Sequence, residues 1–345
     1  MNVLMIGLGM VAHTHLLALR DNRASLKLDA VLGRDKQMVR TFCDSAAAIL
    51  GYDVLDFTEI SDALSIKPDL AVVLTPPNAR LEYAQVLSKA GIPTILEKPI
   101  ERTLDSSRII VEMFEAADVP LGVFFQHRAR PAAVALKELL NTSALGDIIH
   151  LEMRVPWWRD QLYYDSPGRG TYDRDGGGVM INQAIHTLDL ALWLAGPITQ
   201  VQAIMRTSPL HQMEAEDIAA ALMGFASGAS GVLSATTIAY PGSADSIAIT
   251  TMRAEVILQG NQLNIFWHDG HTETIVSDQT NSTGGGADPM AFTHAWHQAI
   301  LEDFVQSCEI GGEAISSGRS ALHVHAVIQA MEKAVQSGIV ARVVS

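Results

Sequence analysis

The feature that most constrains this chain sits at its start. Residues 1–6, Met-Asn-Val-Leu-Met-Ile, form a short apolar run of the kind buried in a parallel sheet. Gly7-Leu8-Gly9-Met10-Val11-Ala12 follows, and then an apolar spacing (Val11, Leu16, Leu17, Leu19) that reads as a helix. In the order strand, G-x-G-x-x-A, helix, each small residue has a physical use. Gly7 permits a tight turn, Gly9 lets the backbone approach a pyrophosphate, and Ala12 lets helix and strand pack closely. The helix start, with Met10 and Val11 in it, offers N–H groups and partial positive charge to phosphates. A bare G-x-G-x-x-A also fits an ordinary glycine turn. Here it opens a β–α–β pattern, which points to dinucleotide binding.

The alternation continues. Residues 28–32 read as a second strand, tipped by Gly33-Arg34-Asp35. Gly33 leaves space and Arg34 could pair a 2′-phosphate, which favours NADP. Asp35 could instead serve the ribose of NAD, which stays the alternative. Residues 36–50 read as a helix, 52–55 as a strand, and 58–64 as a helix capped by Thr58 or Ser61. Residues 70–74 read as a continuous apolar strand broken by Thr75-Pro76-Pro77-Asn78. A helix over 79–90 and a strand over 93–96 follow, the latter ending in Glu97-Lys98-Pro99. Ligands of open α/β sheets lie beyond the carboxyl ends of the strands. Thr75, Pro76, Asn78, Glu97 and Lys98 therefore share a rim with the glycine turn. A lysine in that place is not needed for packing, although a surface lysine in a turn is the plain alternative.

The pattern changes near residue 122. After a helix over 132–140, eight strand-like segments run from residue 148 to 276, joined by short turns such as Ala226-Ser227-Gly228 and His268-Asp269-Gly270. Short turns imply antiparallel pairing. Residues 289–311 and 317–338 read as two late helices, with Gly284-Gly285-Gly286 as a flexible loop before them. Two domains are expected: residues 1–122, an α/β Rossmann domain, and residues 123–345, an α+β domain.

Composition narrows the partners. The 345 residues carry a formal net charge of −14, which argues against nucleic acid and an anionic membrane surface. Two cysteines without a C-x-x-C give no disulfide framework and no thiolate metal site, and no metal is expected. No secretion signal and no apolar run of about 18 residues is evident, so a cytoplasmic protein is expected.

The richest stretch is 157–189. Trp157, Trp158, Arg159, Gln161, Tyr163, Tyr164, Arg169, Tyr172 and Asp173 crowd one segment. Rings cover sugar C–H faces and polar groups bond hydroxyls, so the segment suits a polyhydroxylated ligand; a loop anchored by its aromatics is the plain alternative. Gly176-Gly177-Gly178 then precedes a helix carrying Asn182, His186 and Asp189, whose spacings of four and three share one face. By themselves, Asn182 reads equally as an N-cap and His186 as a core histidine.

Taken together, the glycine turn, Thr75-Pro76-Pro77, Glu97-Lys98-Pro99 and Gly176-Gly177-Gly178…Asn182…His186…Asp189 resemble the glucose–fructose oxidoreductase/inositol dehydrogenase (Gfo/Idh/MocA) family, from Met1 to the C-terminal Gly318-Arg319 and Ser337-Gly338. The resemblance implies a Rossmann domain and an α+β domain with an open-faced antiparallel sheet, often a homodimer or homotetramer interface. It implies NAD(P)-dependent oxidation of a sugar or cyclitol hydroxyl, or the reverse reduction. Lys98 matches the family's active-site lysine and His186 its catalytic histidine, while His15 and Arg128 match commonly filled positions. Asn182 stands where many members have aspartate; it can orient His186 but not charge it. Arg80 stands where many have histidine and reads as peripheral. The expected substrate contacts are Lys98, Arg128, Trp157, Arg159, Tyr163, Arg169, Tyr172, Asn182 and His186. Two alternatives remain: a nicotinamide-dependent glycoside-cleaving enzyme using Tyr163, Tyr164 or Tyr172 as base, and a non-catalytic sugar or dinucleotide sensor.

Overall fold

The structure, a computed structural model, describes residues 1–276 and 292–344. The expected Gly284-Gly285-Gly286 loop and the start of the first late helix lie outside the described residues. The chain divides into two compact units, residues 1–101, 105–124 and 294–321, and residues 102–104, 125–293 and 322–345.

The first unit is built on a parallel sheet of β1 (Asn2–Ile6), β2 (Lys27–Leu32), β3 (Leu55–Phe57), β4 (Leu70–Val73), β5 (Thr94–Leu96) and β6 (Leu121–Val123), in the order β3-β2-β1-β4-β5-β6. Val3, Leu4, Met5 and Ile6 are all fully buried in the central strand, as a sheet covered on both faces requires. The strand order reverses direction at β1 and β4, which opens the crevice where such sheets take their ligands. The crossovers are α1 (Ala12–Asp21), α2 (Lys36–Leu50), α3 (Ile60–Leu64), α4 (Arg80–Lys89) and α5 (Leu104–Ala116).

Two local expectations shift. The third strand starts at Leu55 rather than Tyr52, whose hydroxyl instead accepts the Leu28 N–H at 3.2 Å. The next helix starts at Ile60 with Glu59 before it, so neither Thr58 nor Ser61 caps it.

The second unit is built on β7 (Ile148–Pro156), β8 (Ile198–Arg206), β9 (Ile218–Phe225), β10 (Ser230–Thr236), β11 (Ser246–Thr251), β12 (Ala254–Gln259), β13 (Gln262–Trp267), β14 (Thr272–Val276) and β15 (Ala341–Arg342). Their order is β14-β13-β12-β11-β7-β10-β9-β8-β15, antiparallel except where β7 meets β10. Helices α6 (Pro131–Asn141), α7 (Gln161–Asp165) and α8 (Ile185–Ala195) complete it, with α8 packed on β7 and β11. Side chains alternate along the strands, and one face is buried through Val201, Leu233, Met153, Ile249 and Val256. On the other face, Ile204 and Leu222 are 66% and 59% exposed.

The late helices are α9 (Ala295–Ile310) and α10 (Gly318–Ser337). A single cut at residue 122 leaves both in the second domain, whereas residues 294–321 join the first unit. Phe304 of α9 fills the space over Gly122, where a Cβ would lie 2.7 Å from the ring. The Val123 N–H donates to the Ser316 oxygen at 3.0 Å, extending the edge of the sheet. No described helix is long and apolar enough to cross a membrane.

Candidate active site

In the first unit the glycine turn links β1 to α1. Gly7 has φ +98°, and a Cβ there would lie 2.9 Å from the Thr75 nitrogen, so only glycine fits. A Cβ on Gly9 would meet nothing nearer than the Leu74 oxygen at 3.8 Å, so the protein leaves that side open. No side chain caps the start of α1, where Val11 is the cap residue; Met10 is 46% exposed and Ala12 is buried. Thr75 is buried and its Oγ1 has no partner among the described residues. An open glycine face, an uncapped helix start and an orphan hydroxyl fit a bound dinucleotide phosphate.

At the tip of β2, Arg34 is exposed. Asp35 is the N-cap of α2, and its carboxylate accepts the Met38 N–H at 2.9 Å. The acidic side chain weighed as a ribose ligand thus has a structural use. Pro76 and Asn78 are exposed beyond β4.

The loop after β5 is held from two sides. Arg80, read from sequence as peripheral, is buried. Its Nε and Nη2 donate to the Thr75 oxygen at 3.0 and 2.8 Å, and its Nη1 donates to the oxygens of Glu97 and Pro99. Burial lowers its pKa to about 10, so it stays cationic at neutral pH, helped by Glu97. One arginine therefore ties the loops after β4 and β5 together.

On the other side lies Glu97, also buried. Its carboxylate accepts His15 Nε2 at 2.8 Å and the Lys98 N–H at 3.1 Å, with His297 Nε2 of α9 at 3.6 Å. Burial alone would raise this carboxyl, but the two imidazoles outweigh it and hold it well below the usual carboxylate range. Burial pushes His297 the other way, toward the neutral form, against the pull of Glu97. The donor atoms of His15, Glu97 and His297 lie within 4.8 Å of one another, a set that could ligate a divalent cation. In the structure the two histidines flank one oxygen of Glu97, whose other oxygen accepts the Lys98 N–H; the Lys98 side chain is half-buried.

In the second unit, Gly176-Gly177-Gly178 leads into a π-helical turn, Met180–Ala184, and then α8. Gly178 has no room for a side chain, since a Cβ would collide with the main chain of Glu216. The Glu216 carboxylate accepts the Met180 N–H at 3.0 Å, an end-cap that the sequence did not reveal. Burial pushes this carboxyl up to about 7 against its hydrogen bonds. Asn182 lies in the π turn rather than in a regular α-helix, and its Nδ2 donates to the oxygens of Gly177 and Gly178 at 2.7 and 3.3 Å. His186 is buried in α8; its ring centroid lies 6.2 Å from that of Phe125, the two planes near perpendicular, and 4.7 Å from that of His127, which stacks on it. Asp189 takes Arg128 Nε and Nη2 at 2.8 and 2.5 Å, and burial raises its carboxyl above the ordinary value even so. Arg128, expected at the substrate, thus commits two donors to Asp189.

The aromatic segment also assembles. The Arg159 guanidinium lies over the rings of Trp157 and Tyr163, at 5.3 and 5.5 Å, and Arg169 over Tyr163 at 5.1 Å. Trp157 and Arg159 are buried, while Tyr163, Arg169 and Tyr172 are half-exposed. Tyr172 stands apart from this stack, with Arg102 over its ring at 4.4 Å. Tyr164, weighed as a base, is buried and hydrogen-bonded to Thr237 Oγ1 at 2.7 Å, and burial drives its pKa far up. It is unsuited to that role. His211 and Asp217, which sequence reasoning passed over, pair at 2.9 Å, and His211 Nε2 donates to the Arg159 oxygen at 3.0 Å.

A parallel sheet in this strand order, with a glycine turn that leaves room for phosphate, defines the class: an oxidoreductase with an NAD-binding Rossmann domain. The chain belongs to the GFO/IDH/MocA family. Residues 1–125 match the oxidoreductase family's NAD-binding Rossmann fold, and residues 133–258 match the GFO/IDH/MocA C-terminal domain. D-apiose dehydrogenase of Paraburkholderia graminis is 26% identical, over 97% of this chain and 87% of that protein. The WlbA dehydrogenase of Chromobacterium violaceum, solved with NADH and UDP-GlcNAcA, is 25% identical with a TM-score of 0.84, over 99% of this chain and 95% of that one. Levoglucosan dehydrogenase, solved with NADH, has the same fold at 20% identity and a TM-score of 0.86, over 100% and 99% of the two chains.

Proposed function

We propose that this protein is an NAD(P)-dependent dehydrogenase or reductase acting on a hydroxyl or carbonyl of a sugar or cyclitol, with Lys98 and His186 as its catalytic residues. The observation that carries the reading is the rim of the first unit. Buried Arg80 and buried Glu97 hold the Lys98 loop rigidly beside the loop that packs against the glycine turn. Such support is what a group of fixed position needs and a surface lysine does not. The relatives' names point the same way.

When bound, the nicotinamide supplies the hydride acceptor or donor. Lys98 presents its ammonium to the reacting oxygen, stabilising alkoxide character in oxidation and polarising the carbonyl in reduction. His186 takes the hydroxyl proton, or returns it. Asn182 positions the start of the His186 helix by holding the carbonyls of Gly177 and Gly178. Tyr163, Arg169 and Tyr172 offer rings and a guanidinium to a polyol, with Trp157 and Arg159 packed behind Tyr163. Arg128 secures the same helix through Asp189.

The cofactor reading favours NADP. Asp35 is engaged at the start of α2, which leaves exposed Arg34 as the charged group at the tip of β2. The first unit is the cofactor unit, and the second serves substrate and self-association. Its open sheet face, with Ile204, Leu222 and Val232 on neighbouring strands, suits pairing into a homodimer or homotetramer. The cytoplasm is the compartment that fits, with Cys43 and Cys308 both unpaired thiols.

Lys98→Met tests the reading. Turnover should vanish while dinucleotide affinity stays within about twofold of the parent, a change of under about 0.5 kcal/mol. Preserved turnover would remove the lysine from the mechanism.

A further inference from the structure

His186 needs a partner to fix its ring and support its charge. An aspartate at position 182 could give both, whereas the asparagine here carries no charge to support an imidazolium, and its amide nitrogen donates to the oxygens of Gly177 and Gly178. A different group lies against the ring. His127 stacks on His186 with centroids 4.7 Å apart and ring planes 27° from parallel.

The protonation of His127 follows from its neighbours. Arg130 Nη2 lies 2.5 Å from His127 Nε2. A guanidinium only donates, so Nε2 is the acceptor and the ring is neutral, with its proton on Nδ1. That nitrogen faces Asp245 Oδ2 at 3.7 Å. Arg130 in turn donates to both Asp245 oxygens, at 3.1 and 3.2 Å, and the three side chains are buried. Charge in the Arg130–Asp245 pair cancels. The pair is also fastened to the His186 helix, because Thr187 Oγ1 donates to Asp245 Oδ2 at 3.2 Å. The other charged groups recorded on or against this helix are the Arg128–Asp189 pair, Lys137, which donates to the Trp193 oxygen, and Glu216 at the helix start.

We infer that His127 is a positioning residue for His186: a neutral imidazole, locked in one tautomer by Arg130, whose face fixes the His186 ring and stabilises its imidazolium form. The electron-rich face of a neutral ring attracts a cation stacked on it. The inference rests on the proposed proton transfer by His186 for its relevance to turnover, but not for the stacking itself.

The test is the proton titration of the His186 ring by nuclear magnetic resonance in the full chain, assigned with His186→Asn. His127→Gln keeps an acceptor for Arg130 and removes the ring. His127→Phe keeps a ring and removes the acceptor. The inference expects His127→Gln to lower the His186 pKa by about half a unit, the size of a modest cation–π contact, and His127→Phe to keep it near the parent value. An unchanged pKa in His127→Gln, or equal falls in both variants, would overturn it. The failure of the functional reading looks different: the pKa moves as stated, yet His186→Asn turns over a polyol at the parent rate.

Discussion

The Arg80 guanidinium donates twice to the main-chain oxygen of Thr75, at 2.8 and 3.0 Å, and its remaining nitrogen reaches the carbonyls of Glu97 and Pro99. All of these groups sit on the rim where the cofactor is proposed to bind. Arg80→Met removes every donor and strands buried carbonyls. The expected loss is about 3 kcal/mol of unfolding free energy, read from urea denaturation, with a weakened dinucleotide complex. Arg80→Lys, a point donor without the planar fork, should fall between the two. A loss below about 0.5 kcal/mol, the size of an ordinary surface change, would mean the carbonyls do not depend on Arg80.

The two glycines of the turn should separate folding from binding. Gly7→Ala forces a left-handed φ on alanine and drives its Cβ toward the Thr75 nitrogen, so it should cost stability without any ligand. Gly9→Ala meets nothing nearer than 3.8 Å within the protein. Its melting temperature without cofactor should match the parent, while dinucleotide affinity falls at least about tenfold. A Gly9→Ala protein with parental affinity would place the pyrophosphate elsewhere.

Arg34→Ala tests the choice of cofactor. The NADPH complex should weaken by about tenfold or more, the worth of a charge-assisted phosphate contact, with NADH little changed. Equal weakening of both would show that Arg34 does not read the 2′-phosphate. A Gly33→Asp exchange is less clean, since a Cβ at Gly33 would lie 2.8 Å from Val39 Cγ2.

Glu216 gives a pH prediction. Its folded pKa is raised to about 7 from the ordinary 4.5, so folding favours the neutral acid. The stability this contributes is complete below about pH 4.5 and is lost as pH rises through about 7. Glu216→Gln keeps an oxygen for the Met180 N–H but cannot ionise. It should match the parent near pH 4 and exceed it by about 3 kcal/mol at most above pH 8. Stability curves that run parallel across that range would contradict the assignment.

What was legible in the sequence was local. The β1–turn–α1 unit could be read because apolar periodicity and glycine chemistry act within a dozen residues. Lys98 and His186 stand out as candidates because each sits in a short motif with set neighbours, Glu97-Lys98-Pro99 and Gly176-Gly177-Gly178…His186. Contacts between distant segments could not: His297 reaches Glu97 from α9, and Phe304 packs on Gly122 from the same helix, so α9 groups with the first compact unit although it follows residue 122 in the chain. Arg80 was misread because position alone says nothing about which carbonyls converge on it. Asp35 carried a readable signal, an acidic residue just before a helix, but was weighed as a ribose ligand and not as a cap. Nothing local marks Glu216, whose environment is made by Gly178 packing on it from an earlier loop.

The central claim is hydride transfer to or from a polyol. The direct measurement is the absorbance of reduced nicotinamide while the protein is supplied with NADP or NAD and a panel of sugars, cyclitols and their keto forms. The account predicts that a panel member is turned over, and that Lys98→Met and His186→Asn abolish the signal with the dinucleotide still bound. Tight dinucleotide binding with no change in nicotinamide across the whole panel would contradict it and favour a sensor.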